Sequence, residues 1–227
     1  NEDIEVDPDG FIKMETAGVE RLRIDANGSV GIGIVPFTTS STFDSLQIGE
    51  QTNLLSGADG TGNTAACYLA NNLGFNSGFK YINTGTVSAY RQELGNHTLY
   101  SNASGTAGAA VTLDEHMRLD SSGNLLINTT DTTLYNNTGS GNGGIVLANA
   151  GAGAGRIDVA RDGNCYTANR LATDGNLFEF MKDGSTVGSI VVSGGNNLYI
   201  SGEATNQAGL TITIDSVLSP RQGTVIS

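Results

Sequence analysis

The chain has no tryptophan, two cysteines, three prolines and two histidines in 227 residues. Each shortage removes a class of function. Cys67 and Cys165 have no second Cys or His close by in sequence, so neither a paired-ligand metal motif nor a disulfide scaffold is expected. They read as two small buried hydrophobes. His97 and His116 stand in no recognisable Ser–His–Asp or Cys–His setting, which leaves nucleophilic catalysis without a base. Positive charge is also scarce. Against 23 Asp and Glu there are 11 Lys and Arg, a formal charge of −12. That leaves no basic surplus for a phosphate backbone, so no nucleic-acid partner is expected. No apolar run approaches the ~20 residues of a membrane helix, so no membrane insertion is expected. Leu, Glu, Lys and Arg never cluster at helical spacing. The 32 glycines lack a three-residue period, which excludes a collagen helix.

What the chain does have is alternation around tight turns. In Glu20-Arg21-Leu22-Arg23-Ile24-Asp25-Ala26-Asn27-Gly28-Ser29-Val30-Gly31-Ile32-Gly33, apolar residues fall at every second position on both sides of Asp-Ala-Asn-Gly. That pattern predicts two short strands and a turn. Residues Glu115 to Ile127 repeat the order, turning at Asp120-Ser121-Ser122-Gly123. Weaker copies turn at Asp162-Gly163-Asn164, Asp174-Gly175-Asn176 and Asp183-Gly184-Ser185, and Asp7-Pro8-Asp9-Gly10-Phe11-Ile12 reads as a half copy. A lone hairpin with one apolar face is unstable in water, and stacking such units buries that face. The Asp-rich turns fail as calcium loops. The twelfth position, where a bidentate Glu belongs, is Pro36 counted from Asp25 and Gly18 counted from Asp7.

The hairpin copies, together with Asp174 to Gly202, resemble the repeated segments of tailed-bacteriophage tail fibres. In that family these segments precede a C-terminal intramolecular chaperone that trimerises the fibre and cuts itself off. The resemblance covers residues 18–33 and 114–202 most closely. It implies an all-β, intertwined homotrimeric fibre of stacked hairpins, assembled in the host cytoplasm and carried on the virion. It also implies contact with other virion tail or baseplate proteins and with a host surface glycan or receptor. Since cleavage in the family falls directly after a serine, Ser227 is expected to be a processed end.

Along the chain, composition predicts an N-terminal hairpin collar at 1–42 and a β-sandwich-like module at 43–113. A hairpin and Gly-rich connector follow at 114–155, then a stacked-hairpin fibre segment at 156–227. Strands are expected at Ser45–Ile48, Ala65–Ala70, Gly78–Ile82, Val87–Leu94, Thr98–Tyr100, Ala109–Leu113, Ile145–Ala148 and Leu210–Ile214, with a turn at Ser219-Pro220. The central block concentrates the aromatic residues. Tyr68, Phe75, Phe79, Tyr81, Tyr90 and Tyr100, with His97, are the candidate receptor-binding residues, because sugars are gripped by aromatic faces plus a few polar groups. The same aromatics equally suit a sandwich core. Carboxylates for glycan hydrolysis are present (Asp44, Glu50, Asp59, Glu93, Asp114, Glu115), but sequence pairs none of them. The expectation is therefore a structural, adhesive protein with no enzymatic activity, no cofactor and no metal. The alternatives are a polysaccharide-cutting tailspike and a bacterial β-repeat adhesin.

Overall fold

The computed structural model describes residues 3–8, 10–39, 42–58, 65–138, 143–149, 151, 155–194 and 197–202. The strand expected at Leu210–Ile214, the Ser219-Pro220 turn and Ser227 lie outside the described residues. The chain divides into two units, Asn1–Cys165 and Tyr166–Ser227.

The protein is nearly all β. The first unit holds β1 (Asp3–Val6), β2 (Ile12–Thr16), β3 (Val19–Ile24), β4 (Val30–Ile32), β5 (Phe43–Ile48), β6 (Thr52–Ala58) and β7 (Ala65–Asn71). It continues with β8 (Leu73–Phe75), β9 (Phe79–Tyr81), β10 (Gly85–Glu93), β11 (Asn96–Gly105), β12 (Glu115–Leu119), β13 (Leu125–Ile127), β14 (Gly144–Asn149) and β15 (Gly155–Ala160). Thirteen of these form one mixed sheet in chain order, and β8 and β9 leave it as a separate hairpin. The pairs are antiparallel except β4 with β5, which run parallel.

The two best sequence repeats fold alike in their backbone turns. Asp25 Oδ1 accepts hydrogen bonds from the backbone N–H of Asn27 and Ser29, both at 2.9 Å. Asp120 Oδ1 accepts from Ser122 at 2.9 Å and Asn124 at 2.8 Å. Gly28 and Gly123 take φ of +87° and +86°, the left-handed backbone that closes the turn. On the strand before each turn, Arg23 grips Glu20 and Arg118 grips Glu115 through two nitrogens. The half copy closes the same way, with Gly10 N–H donating to the Asp7 carbonyl at 3.0 Å as Gly28 N–H does to Asp25. The carboxylates are thus spent on backbone, which is why the motif makes turns.

The sheet has two unlike faces. One is covered by four excursions of the chain. The 34–36 segment crosses it at Gly31, where an added Cβ would stand 2.8 Å from Pro36 Cδ. The β8–β9 hairpin lies over the middle strands, held by Asn53 Nδ2 donating to the Leu73 carbonyl at 3.1 Å. The 109–113 segment hydrogen-bonds to β9 through Val111 N–H to Phe79 O at 3.0 Å. Further on, a single 3-10 turn, Leu134–Asn136, packs Leu134 against Leu126 and Val146. Beneath the middle excursions lies the main core of Phe43, Leu55, Tyr68, Leu73, Phe75, Tyr81, Val87 and Tyr100. In the 43–113 stretch the second layer is therefore a two-stranded hairpin with its flanking loop.

Among the described residues, nothing covers the other face. Cross-strand pairing strings Val6, Ile12, Ile24, Val30, Leu46, Leu54, Leu69, Tyr90, Leu99, Met117, Ile127, Ile145 and Val159 into one unbroken row. Each of the thirteen strands contributes one residue, and only Tyr90 carries a polar atom. Beside the row, the N-terminal strands add Ile4, Met14, Leu22, Ile32 and Ile48 on one side. The C-terminal strands add Leu119, Leu125, Leu147 and Ile157 on the opposite side. Between them the flanks are polar: Thr52, Asn71 and Ser88 on one, Ser56, Cys67, Gln92 and His97 on the other.

Three expectations are corrected. Cys67 and Cys165 are exposed: Cys67 lies between buried Ala66 and Tyr68, and strand alternation turns it to the bare face. Residues Ala109–Leu113 form no strand beyond an isolated bridge of Ala110 to Lys80. The turns at Asp162-Gly163-Asn164 and Asp174-Gly175-Asn176 close no hairpin, because residues 161–174 contain no strand. The copy at Asp183-Gly184 does, with φ of +49° and +78°.

The second unit is a meander of β16 (Gly175–Lys182), β17 (Ser185–Ser193) and β18 (Asn197–Gly202). Phe178 pairs Ile190, which pairs Ile200, and Val192 pairs Leu198. Phe178, Phe180, Leu198 and Ile200 on this apolar face are exposed.

Candidate functional site

The structure splits the seven candidate residues between the faces. Tyr68, Phe75, Phe79, Tyr81 and Tyr100 belong to the covered face; Tyr90 and His97 are on the bare one. Phe75 stacks on Phe43 with ring centroids 4.2 Å apart, and Phe79 meets Phe75 and Tyr68 edge-on at 5.1 and 5.2 Å. Tyr81 is buried and donates its hydroxyl to the Ala103 carbonyl at 2.9 Å. Phe75 and Tyr81 are thus packed inside, while Phe79 is half-buried.

Tyr68, Phe79 and Tyr100 come together at an open cavity of about 440 Å³ between the sheet and the 111–113 segment. Arg91 and Glu115 share its lining. Alternation puts Arg91 and Glu93 on this side of β10, where they pair at 3.1 Å. Arg91 also lies over the Tyr100 ring, 5.3 Å from its centroid. Burial works against the Arg91 charge, but the Tyr68 hydroxyl beside it and the nearby Tyr100 and Glu93 outweigh that and raise its pKa. Burial likewise pushes the Tyr100 phenol up. Both groups keep their usual charge state at neutral pH. The cavity wall is rigidly held: Asn102 Nδ2 donates to the Thr112 carbonyl and to Asp114 Oδ2, both at 2.8 Å.

On the bare face Tyr90 and His97 sit side by side, ring centroids 6.0 Å apart. The Tyr90 hydroxyl bonds His97 Nδ1 and accepts from Gln92 Nε2 at 3.0 Å. This ties down the one polar atom of the apolar row.

Sequence reasoning missed Arg91, Glu115 and Thr112 as neighbours of these aromatics. The usable signal was Glu-x-x-Arg before each Asp turn, which places both charges on one strand face across a bulge. Comparison with protein-family models, with curated proteins and with solved structures returned no match.

Proposed function

We propose that this chain is a subunit of a homotrimeric fibre, a structural virion protein of the tail-fibre kind that presents its covered face to a host surface. The observation that supports this reading is the bare apolar row. Thirteen strands at about 4.8 Å spacing give a strip about 60 Å long. Widened at both ends by a second apolar row, it exceeds the ~300–600 Å² that a monomer typically leaves contiguous.

The shape of the strip argues for three chains over two. A face-to-face dimer of sheets buries several rows at once. Across the middle strands that would sink Thr52, Asn71, Ser88, Ser56, Gln92 and His97 into an apolar interface, each at a desolvation cost. Three narrow ridges meeting on an axis bury the row and leave its flanks at the margin. Neighbouring strands also rotate by about 20–25°, so a row through so many strands cannot stay in one plane. Three such rows keep contact only by winding around one another. The shift of the second apolar row from one flank to the other follows the same oblique path.

The second unit supports the reading independently, since its apolar face has nothing of its own to cover it among the described residues. Adhesion then works by multivalency: three weak sites per fibre raise avidity without tight single contacts. Sedimentation of the purified chain tests the assembly. A trimer is expected, and a stable, monodisperse monomer at micromolar concentration refutes it.

A further inference from the structure

The regulation of the bare row rests on reading that row as the assembly face, but the trigger follows from the hydrogen bonds around Tyr90. We infer that His97 makes assembly through the row sensitive to mild acid: chains associate with His97 neutral and come apart as it gains a proton.

Tyr90 stands in the row between Leu69 and Leu99, so covering the row takes its hydroxyl out of water. The hydroxyl has two partners in its own chain. Gln92 Nε2 donates to it at 3.0 Å, and His97 Nδ1 bonds it from the next strand. An amide nitrogen only donates, so the phenol proton goes to His97 Nδ1, and that nitrogen must carry a lone pair. The closed network therefore requires a neutral imidazole with its proton on Nε2. A second proton, on Nδ1, sets two donors against each other. Turning the Gln92 amide to accept from Tyr90 restores the bonds, but it leaves an imidazolium held against the apolar row, where a charge without a partner is costly.

Among the described residues that face His97, no carboxylate is left over to balance that charge. On β10, Tyr90 and Gln92 face it; Glu93 lines the same hollow but is paired with Arg91 at 3.1 Å. On β12, Leu119 lies opposite His97, and the Asp120 carboxylate beyond it accepts from Ser122 and Asn124 in its own turn. Cys67 lines the hollow from β7. Asp44 of β5 shares this margin but lies four strand spacings away, about 19 Å. The other margin runs through Thr52, Asn71, Ser88 and Ser101, and Asp114 beyond it accepts from Asn102 Nδ2 at 2.8 Å. His116 bonds the Ser101 carbonyl at 3.1 Å and takes no part in the Tyr90 network.

The separated chain thus binds a proton at His97 that the assembly excludes, so acid moves the equilibrium toward separate chains. With one such proton per chain, the dissociation constant of a trimer rises by up to about a thousandfold per pH unit on the acid side of imidazole titration.

Sedimentation velocity at about pH 8 and about pH 5.5, at one ionic strength and across a concentration series, tests the inference. Wild type is expected to be assembled at the higher pH and to weaken by at least about a hundredfold in dissociation constant at the lower, while far-UV circular dichroism still reports folded strands. His97→Gln offers Tyr90 an amide oxygen and takes up no proton, so it is expected to stay assembled at both. His116→Gln is expected to dissociate in acid like wild type. Imidazole nitrogen NMR of wild type needs no variant: His97 Nδ1 is expected to be unprotonated in the assembly and protonated in the chains that acid releases. Equal affinity at both pH values, acid dissociation that survives His97→Gln or that His116→Gln abolishes, or a proton on Nδ1 within the assembly overturns the inference and leaves the trimer standing. Wild type that is monomeric at the higher pH refutes instead the assembly reading on which the inference rests.

Discussion

Leu69→Asp is the sharpest perturbation of the bare row. Leu69 is paired with Leu54 on one side and Tyr90 on the other, and is 58% exposed in the single chain. Burying a whole leucine side chain is worth about 1.5–3 kcal/mol, so the part still open contributes about 1–1.5 kcal/mol per chain on assembly. Three copies on one axis give about 3–5 kcal/mol per trimer. Leu69→Ala forfeits most of that and weakens the trimer by about two to three decades in dissociation constant. Leu69→Asp goes further, because it brings three carboxylates together in an apolar channel at a cost of several kcal/mol each. No trimer is expected. The opposite face provides the control. Arg118→Ser loses only the pair with Glu115, whose side chains are 27% and 17% exposed, a loss of at most about 1 kcal/mol per chain.

Sedimentation velocity across a concentration series reads the assembly, and the chain carries its own second reporter. Cys67 lies two residues from Leu69 on the same strand face and is exposed in the single chain, as is Cys165. In the assembled protein Cys67, at the margin of the row, is expected to react with a thiol reagent more slowly than Cys165. In Leu69→Asp that difference is lost. If Leu69→Asp sediments like wild type with Cys67 equally shielded, or if Arg118→Ser is the variant that falls apart, the bare row is not the interface.

Removing the turn carboxylates with Asp25→Ala or Asp120→Ala is expected to cost about 1–2 kcal/mol each in chemical unfolding, since two backbone N–H groups lose their acceptor; a change below a few tenths would show the turns are held otherwise. Gly31→Ala drives a methyl group into Pro36 and the Ile34 carbonyl and is expected to destabilise by about 1–3 kcal/mol, checked by thermal melting. Acid is expected to loosen the hairpins. The Arg23 hydrogen bond holds the Glu20 carboxyl below its usual range. For Asp120, burial pushes upward but hydrogen bonds from Asn124, Ser122 and Gly123 outweigh it, and its pKa is lowered too. A lowered folded pKa contributes stability above the unfolded value, near pH 4, that is lost as pH falls through the folded one. A pH titration of stability should therefore decline only below about pH 4, and Glu20→Gln should flatten it.

Much of the scaffold was legible because it obeys period two around Asp turns. β3–β4 and β12–β13 were read from Leu22, Ile24, Val30 and Ile32 and from Met117, Leu119, Leu125 and Ile127. β6 was not, and the reason is physical. Leu54 and Leu55 are adjacent apolar residues that serve opposite faces, one in the row and one in the core. A strand used on both sides loses its alternation. β8 is buried throughout, which erases the pattern in the same way. At residues 162 and 174 the Asp-Gly-Asn letters sit beside a strand on one side only, β15 and β16 respectively, and residues 161–174 supply no second strand to close a hairpin. Cys67 went astray because register, and not residue type, decides which way a strand residue points. The cavity was half legible. Its aromatics were visible in the sequence, whereas Arg91, Thr112 and Glu115 join them only through pairing of β10, β11 and β12.

An apolar row with one similar residue per strand has a weakness: it does not say where along it a partner should stop. Isoleucine against valine or leucine is nearly the same contact after a slip of two strands, about 10 Å. The polar flanks of the middle strands answer this. In the proposed trimer, held in register, Thr52, Asn71 and Ser88 of one chain would meet the equivalent margin of the next. Ser56, Gln92 and His97 would do so on the other side. Slipped toward either end, they would face Met14, Leu22 and Ile32, or Leu119, Leu125 and Leu147, and would be desolvated without partners. The Tyr90 hydroxyl is already satisfied within its own chain by His97 and Gln92, so the row can pass through the polar zone unbroken. In the proposed trimer the apolar ends would then supply the strength of the assembly and the polar middle its alignment. The alternation of the strands writes both onto the face that the chain's own excursions leave open.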